Sequence, residues 1–156
     1  MEIISKSVSE TLKLGKKIAK RLKRGDIICL FGQLGSGKTV LAKGIASGFG
    51  IAKNQIVSPT FVIIREYTRS RLPLYHLDLY RLKIPRDIVL LGYEEYLYND
   101  GVAIVEWADR LKYLLPKEYL RIELSVESQS KRTLKFKAIG DRYKQILDGL
   151  HENIRH

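Results

Sequence analysis

Apolar and polar positions in the first part of the chain predict a helix followed by a strand. Residues Ser7 to Glu10 read S-x-x-E, the capping-box pattern that opens a helix. Close to one face of that helix fall Val8, Leu12, Ile18, Ala19 and Leu22. Gly25-Asp26 interrupts the helix, and the continuous apolar run from Ile27 to Phe31 is typical of a strand buried on both faces.

Later segments continue this alternation of helices and strands. A second helix is predicted from about Lys38 to Phe49, because Gly48 and Gly50 mark its end. Strand-like segments follow at Phe61–Tyr67, Leu74–Leu79, Val102–Glu106, Tyr119–Val126 and Thr133–Ala138. The stretch Ile88–Tyr96 does not resemble a strand, and part of it favours a short helix.

The end of the chain predicts a final helix over Asp141–Ile154. Its apolar side consists of Ile146, Leu147, Leu150 and Ile154. Since the last two strands can pair as a hairpin, we expect a three-layer α/β fold with a mostly parallel, mixed sheet flanked by helices. A length of 156 residues fits one domain, 1–156, which includes the C-terminal hairpin and helix of about 119–156.

The composition indicates an ordinary globular protein, with 45% apolar and 29% charged residues. No apolar run is long enough for a transmembrane helix, and residues 1–24 show no signal peptide. The single cysteine, Cys29, lies in an apolar run and has no internal disulfide partner. We therefore expect a buried thiol, no membrane association and a reducing, cytoplasmic location.

The formal net charge of +11 predicts a polyanionic partner, either a nucleotide, RNA or an acidic protein surface. Charge alone does not choose among them. The chain lacks the aromatic-rich signature of common RNA-binding modules. A solvated surface with no ligand is the alternative reading of the same lysines.

A glycine-rich loop carries the most specific chemistry. Residues Gly32 to Thr39, G-Q-L-G-S-G-K-T, match the phosphate-binding pattern G-x-x-x-x-G-K-[ST]. Backbone N–H groups of such a loop cradle phosphate oxygens, and the following helix points its positive end at them. Lys38 supplies charge for the β- and γ-phosphates, and the Thr39 hydroxyl is placed for Mg²⁺. The expected fold is therefore that of a P-loop NTPase.

Two carboxylates are candidates for holding Mg²⁺ or orienting water. Asp78 and Glu106 each end an apolar strand, and α/β sheets place their ligands at the carboxyl ends of strands. The alternative is that each strand simply ends in solvent with a charged residue. The residues alone do not divide the two roles between these acids.

Several other polar and aromatic residues each have two possible interpretations. The loop Ser58-Pro59-Thr60-Phe61 is either an ordinary turn or a switch near the γ-phosphate. Trp107 is a core aromatic or a stacking surface, and His76 is a packed histidine or a proton carrier. Arg81 faces phosphate or Asp78, or forms a surface ion pair.

Taken together, these motifs resemble the bacterial TsaE (YjeE) ATPases over roughly residues 7–125. The matching segments, in the family's order, are Ser9-Glu10-Thr11, Gly25-Asp26, Leu30 to Thr39, Ser58 to Phe61, His76 to Arg81, and Glu106-Trp107. One departure is Ser36, where the family usually has alanine. Because the backbone N–H binds phosphate there, we expect little effect. Beyond residue 126 no family motif is visible, and that stretch is expected to be a hairpin and helix closing the core.

The resemblance implies roles for individual residues. Thr39, Asp78 and Glu106 would serve Mg²⁺ and the attacking water, and Thr60 would sense the γ-phosphate, so that Lys38, Asp78, Glu106 and Thr60 form the expected catalytic set. The implied nucleotide-binding residues are Thr11, near adenine, with Gly32, Leu34, Gly35, Ser36, Gly37, Lys38, Thr39, Val40, Arg81 and Trp107.

The resemblance also implies an activity and partners. The expected protein is a Mg²⁺-dependent ATPase, weak alone, that supports threonylcarbamoyl modification of adenosine beside the tRNA anticodon by acting on the TsaD–TsaB complex. Three alternatives stay open. A small-molecule P-loop kinase needs an acceptor pocket and a lid, and no long segment here is an obvious lid. A GTPase normally carries N-K-x-D, which the chain lacks. A tRNA-binding module would have only weak ATPase activity. Oligomeric state is not predicted.

Overall fold

Residues 1–58 and 62–154 are described by a computed structural model, in which strands and helices alternate. The strands are β1 (Glu2–Ser5), β2 (Ile27–Phe31), β3 (Ile64–Tyr67), β4 (Leu74–Asp78), β5 (Val102–Glu106), β6 (Tyr119–Val126) and β7 (Arg132–Ile139). The helices are α1 (Val8–Ala19), α2 (Lys38–Gly48), α3 (Pro85–Leu90), α4 (Glu94–Leu97) and α5 (Asp141–Ile154), with 3₁₀ segments at Lys53–Gln55 and Ala108–Leu114.

All described strands join one sheet in the order β1-β7-β6-β2-β5-β4-β3. The four central strands β6, β2, β5 and β4 run parallel, whereas β1, β7 and β3 pair antiparallel at the edges. The expected mixed sheet with a parallel centre is therefore confirmed, and β6 and β7 form the expected hairpin. Because β2 lies between the parallel strands β5 and β6, the loop that follows β2 has the end of β5 on one side and β6 on the other.

Helices cover both faces of the sheet, as a three-layer fold requires. Strand β2 shows this directly: Ile28 and Leu30 pack with α1, α2 and α5, and Cys29 packs on the opposite face with α3, α4 and the second 3₁₀ segment. Burial raises the pKa of the Cys29 thiol, which fits an inert core residue. Across residues 1–58 and 62–154, every helix is too short or too polar to cross a membrane.

Close contact between α1 and α2 fixes the first helix on the sheet. A Cβ atom at Gly15 would lie 2.7 Å from the backbone of Gly44, and one at Gly44 would lie 2.5 Å from the carbonyl oxygen of Leu12. Only glycine lets the two backbones approach this closely. The contact holds α1 against α2, which begins at the end of the phosphate loop.

Several element boundaries and one helix face differ from the sequence predictions. Strand β1 was not predicted, because it is only four residues long and alternates exposed and covered positions at a sheet edge. Val8 is 63% exposed, so it is not on the buried face of α1; Leu14 takes that place. Strand β3 begins at Ile64, and the segment Ile88–Tyr96 contributes to two short helices.

Candidate nucleotide-binding site

The glycine loop connects the buried strand β2 directly to α2. Gly37, just before the helix, adopts φ 101°, in the left-handed region that a side chain disfavours. Gly32 adopts φ 142°, and a Cβ there would lie 2.4 Å from the carbonyl oxygen of Leu124 on β6. The loop therefore needs glycine both for its turns and for its passage beside the neighbouring strand.

Lys38 is folded back into this loop and is almost fully buried. Its Nζ donates hydrogen bonds to the carbonyl oxygens of Gly32 at 2.6 Å and Gln33 at 2.8 Å. The same atom lies 4.1 Å from the ring centre of Trp107. Burial lowers the pKa of Lys38, and the negative charge of Glu106 opposes that shift. The ammonium group is thus held where phosphate oxygens can replace the carbonyl oxygens.

Asp78 and Glu106 meet at the carboxyl ends of two adjacent parallel strands. They are the last residues of β4 and β5 and lie opposite each other in register. Glu106 is 1% exposed and both of its carboxylate oxygens are engaged. Oε1 accepts a hydrogen bond of 2.6 Å from the Thr39 hydroxyl, and Oε2 lies 2.5 Å from Nε2 of the buried His76. Asp78 accepts a hydrogen bond from the backbone N–H of Tyr80.

This group of side chains suits Mg²⁺. Among residues 1–58 and 62–154 no three His, Cys, Asp or Glu side chains are grouped as a self-sufficient metal site. Mg²⁺ does not require one, since it is usually held by one or two carboxylates together with substrate phosphates and water. A hydroxyl on Thr39 and carboxylates on Glu106 and Asp78 provide hard oxygen donors of this kind beside the loop.

An open cleft of about 500 Å³ brings most of the predicted site residues together. Its lining residues are Ser7, Val8, Thr11, Leu34, Gly35, Gly37, Lys38, Thr39, Val40, Asp78, Tyr80, Glu106, Trp107, Gln129, Ser130 and Arg132. Two further loop residues, Gly32 and Ser36, contact the Lys38 amino group without lining the cleft. Arg81 is exposed and does not line it. Thr60 lies outside the described residues.

One wall of the cleft is aromatic. The rings of Tyr80 and Trp107 have centres 5.0 Å apart and are tilted by 49°. Trp107 follows β5 in a left-handed conformation, φ 57° and ψ 43°, which is uncommon for a bulky residue. This backbone conformation places the indole over the Lys38 amino group at the cleft wall.

The start of α1 also lines the cleft. Ser7 caps the helix by accepting a hydrogen bond from the backbone N–H of Glu10 at 3.1 Å, as the capping pattern predicts. The Glu10 carboxylate accepts a hydrogen bond from the backbone N–H of Lys6 rather than from that of Ser7. Thr11 is buried, with its hydroxyl 2.7 Å from that of Ser5. Ser7 and Thr11 line the cleft, whereas Ser9 and Glu10 do not.

The sequence reasoning missed six residues that line the cleft: Ser7, Val8, Tyr80, Gln129, Ser130 and Arg132. Ser7 and Tyr80 belong to patterns noted in the sequence but were given no part in the site. The last three come from the β6–β7 turn (127–131) and the first residue of β7, a segment that carries no recognisable motif. Only the strand order, with β6 beside β2, brings this turn to the phosphate loop.

A phosphate loop between a buried strand and a helix, with acids at the ends of neighbouring strands, defines the P-loop nucleotide-binding class of proteins. The family model "Threonylcarbamoyl adenosine biosynthesis protein TsaE" matches residues 5–134. This chain belongs to the TsaE family. The match extends past the notable motifs to include the β6–β7 turn.

Individual relatives agree with the family match. The tRNA threonylcarbamoyladenosine biosynthesis protein TsaE of Bacillus subtilis is 42% identical over 147 residues, covering 93% of this chain and 91% of the relative. The Treponema pallidum protein of the same name is 37% identical over 134 residues, covering 86% and 98%. The crystal structure of Bacillus subtilis YdiB superposes with a TM-score of 0.83 at 36% identity, covering 98% and 95%.

Proposed function

We propose that this chain is a Mg²⁺-dependent ATPase that supports tRNA threonylcarbamoyladenosine synthesis. The observation that carries the ATPase proposal is the hydrogen-bonded chain from Thr39 through Glu106 to His76, beside the buried Lys38. Hydroxyl, carboxylate and ammonium groups meet there at the mouth of a phosphate loop. Phosphoryl transfer depends mainly on positioning and charge stabilisation, and these groups supply both.

Binding of ATP would use the loop first. The backbone N–H groups after Gly32 and the N-terminus of α2 receive the phosphates, and Lys38 exchanges its carbonyl partners for β- and γ-phosphate oxygens. Thr39, Glu106 and Asp78 would hold Mg²⁺. When bound, this ion neutralises charge that develops on the phosphates.

Hydrolysis then requires a water molecule aligned with the γ-phosphate. Asp78 and Glu106 share the tasks of holding the ion and orienting that water, because they are the acids that line the described part of the cleft. His76 fixes one oxygen of Glu106 from the buried side. Trp107 and Tyr80 form an aromatic wall beside the proposed phosphate position. Thr60 remains a proposed sensor of the γ-phosphate on the family resemblance.

The cellular role rests on the family. Relatives that share well over a third of the aligned residues with this chain are named for tRNA threonylcarbamoyladenosine biosynthesis. We assign this chain to the same process, as an accessory ATPase that acts on TsaD and TsaB in the cytoplasm. ATP turnover would reset that complex between cycles, and the carbamoyl transfer itself would take place elsewhere.

A reconstitution assay tests this role. Purified TsaD, TsaB and the substrates of the reaction are combined with unmodified tRNA, and threonylcarbamoyladenosine is counted per TsaD over time. Adding this chain should sustain modification through many cycles, whereas the Glu106→Gln variant should not. Glu123→Gln, at a glutamate on β6 outside the cleft, should behave like the unaltered chain. Equal modification with and without the chain would refute the role.

A direct contact with tRNA is a second candidate, favoured by the outer surface of α1. Lys13, Lys16, Lys17 and Lys20 are exposed there, and the ion pairs among the described residues include none of them. Clustered lysines of this kind bind phosphate backbones in a salt-dependent way. Replacing all four by glutamine should weaken tRNA binding and flatten its salt dependence if the contact exists. Unchanged binding would exclude it.

A further inference from the structure

A second open pocket, of about 820 Å³, lies at the end of the sheet opposite the nucleotide cleft. It is bordered by the residues that lead into β2 and β6, Gly25-Asp26 and Lys117-Glu118, and by the start of α5. The cleft lies beyond the other ends of these parallel strands, and the five residues of β2 separate the two ends by roughly 17 Å. A ligand in this pocket would therefore leave the nucleotide cleft free.

The floor of the pocket is formed by Asp26, Arg142 and Tyr143, which hydrogen bonds hold in place. Asp26 is buried and accepts two hydrogen bonds from Arg142, at 3.0 Å from Nε and 2.7 Å from Nη2. The Tyr143 hydroxyl accepts a hydrogen bond of 2.8 Å from the backbone N–H of Ile27. These contacts attach α5 to the start of β2, and they pair the charges of the floor with each other.

Three cationic side chains stand at the rim of the pocket, and all of them are exposed: Lys23, Arg24 and Lys117. Within the described part of the chain the ion pairs include neither lysine, and Arg24 has an exposed contact of 3.5 Å with Asp100. The exposed acid in the described lining is Glu118. Three cations beside one acid leave an excess of positive charge at the rim, which attracts an anion.

The same pocket presents an aromatic ring. Tyr98, at the end of α4, is 56% exposed and lines the pocket. Among the residues that the structure describes, neither another ring nor a cation stacks on it. Unpaired nucleobases stack on exposed tyrosine rings, while lysine and arginine hold the phosphates that connect them. An acidic peptide would need the cations but not the ring.

We propose that this pocket binds an unpaired segment of RNA, with one base stacked on Tyr98 and the adjoining phosphates held by Lys23, Arg24 and Lys117. RNA is the polyanion that fits the family, since relatives of this chain are named for a tRNA modification. The inference goes beyond the proposed contact of α1 with tRNA, because it assigns a separate site with a preference for unpaired bases. It does not depend on ATP hydrolysis.

Fluorescence anisotropy with a labelled single-stranded RNA of about 12 nucleotides, at low salt and without ATP, tests the site. The same strand annealed to its complement is the comparison, because its bases are paired and do not reach the ring. Tyr98→Ala should weaken binding of the single strand about fivefold or more and leave binding of the duplex unchanged. Tyr98→Phe keeps the ring and should bind the single strand as the unaltered chain does.

Replacement of Lys23 and Lys117 together by glutamine tests the phosphate contacts. The logarithm of the affinity falls linearly with the logarithm of the salt concentration, by about 0.7 for each phosphate contact with a single strand. The slope for this double variant should therefore be flatter by about 1.4. Tyr98→Ala should keep the slope of the unaltered chain, since it removes no charge.

Tyr113→Ala is the matched control, because Tyr113 is 80% exposed and does not line the pocket. Thermal melts should show that every variant is folded. Three results would overturn the site: no binding of the single strand by the unaltered chain, no effect of Tyr98→Ala, or an equal effect of Tyr98→Ala on both RNAs. An equal effect of Tyr113→Ala would do the same.

Competition separates RNA from an acidic protein. Unlabelled single-stranded RNA should displace the probe at much lower concentration than polyglutamate of equal charge. Equal displacement by the two would overturn the proposal, because it would assign the pocket to acidic protein surfaces. Since ATP is absent from these assays, each of these results leaves the proposed ATPase to be judged by its own experiments.

Discussion

The hydroxyl of Thr39 and the carboxylate of Glu106 are 2.6 Å apart, and they join the first turn of α2 to the end of β5. Residues far apart in the chain thus form one donor set beside the phosphate loop. The hydroxyl is well placed both to hold the carboxylate and to bind a metal ion. Removal of the hydroxyl should therefore change the Mg²⁺ dependence of ATP turnover more than the stability of the protein.

Thr39→Val should lower ATP turnover at a fixed, low Mg²⁺ concentration by at least about tenfold, since valine keeps the shape but lacks the oxygen that we propose binds the metal. The check is ATP turnover measured against Mg²⁺ concentration. Thr68→Val, at an exposed threonine outside the cleft, is the matched control. A Thr39→Val curve that coincides with the control would show that the hydroxyl does not contact the metal.

His76→Ala should reduce kcat by about 10- to 100-fold while changing the KM for ATP much less. His76 is buried beneath Glu106 and contacts its Oε2, so its loss frees the carboxylate without removing a phosphate contact. Steady-state kinetics separates the two constants. His151→Ala, at an exposed histidine in α5, serves as the control. A rise in KM with an unchanged kcat would argue against a positioning role.

As the pH is raised, the affinity for ATP should begin to fall at a lower pH than it would if Lys38 had the pKa of an ordinary lysine. Burial lowers the pKa of Lys38 below 10.5, so the amino group loses its proton, and its attraction for phosphate, as the pH rises through that lowered pKa. Calorimetric titrations between pH 7 and 10 measure the effect. Lys38→Arg stays charged over this range, and its affinity, whatever its starting value, should change less with pH. An identical pH dependence in both proteins would contradict the assignment.

Gly15→Ala should lower the free energy of unfolding by about 1–3 kcal/mol, despite the better helix propensity of alanine. The added methyl group would lie 2.7 Å from the Gly44 backbone and push α1 away from α2. Denaturant titration measures the loss. Lys16→Ala, at the next, exposed position, should change stability by less than about 0.5 kcal/mol. Equal stability of the two variants would mean that the helix contact adjusts without cost.

The central part of the fold could be predicted because local patterns and tertiary packing agree there. The strands Ile27–Phe31 and Val102–Glu106 and the helix Asp141–Ile154 were predicted with the bounds observed. Elements at the edge of the sheet and at the start of α1 were harder to predict. Strand β1 is too short for a clear alternation, and Val8 has an apolar side chain but is exposed at the cleft rather than buried in the core.

That the glycine loop would lie together with Asp78 and Glu106 could also be predicted, because each of these residues belongs to a motif with its own spacing. This placement follows from parallel strands ending at one edge of the sheet. Arg132 could not be found this way. Its proximity to Gly35 depends on the pairing of β6 with β2, across residues distant in the chain, and no local pattern records that pairing.

ATP hydrolysis by the purified chain, with and without the TsaB–TsaD pair and in Mg²⁺ or EDTA, tests the central claim most directly. We predict turnover that is slow alone, rises with the pair, and is lost in EDTA and in Glu106→Gln, while calorimetry shows that this variant still binds ATP. Hydrolysis that continues in EDTA, or at the normal rate in Glu106→Gln, would contradict the assignment of the cleft as a Mg²⁺-dependent ATPase site.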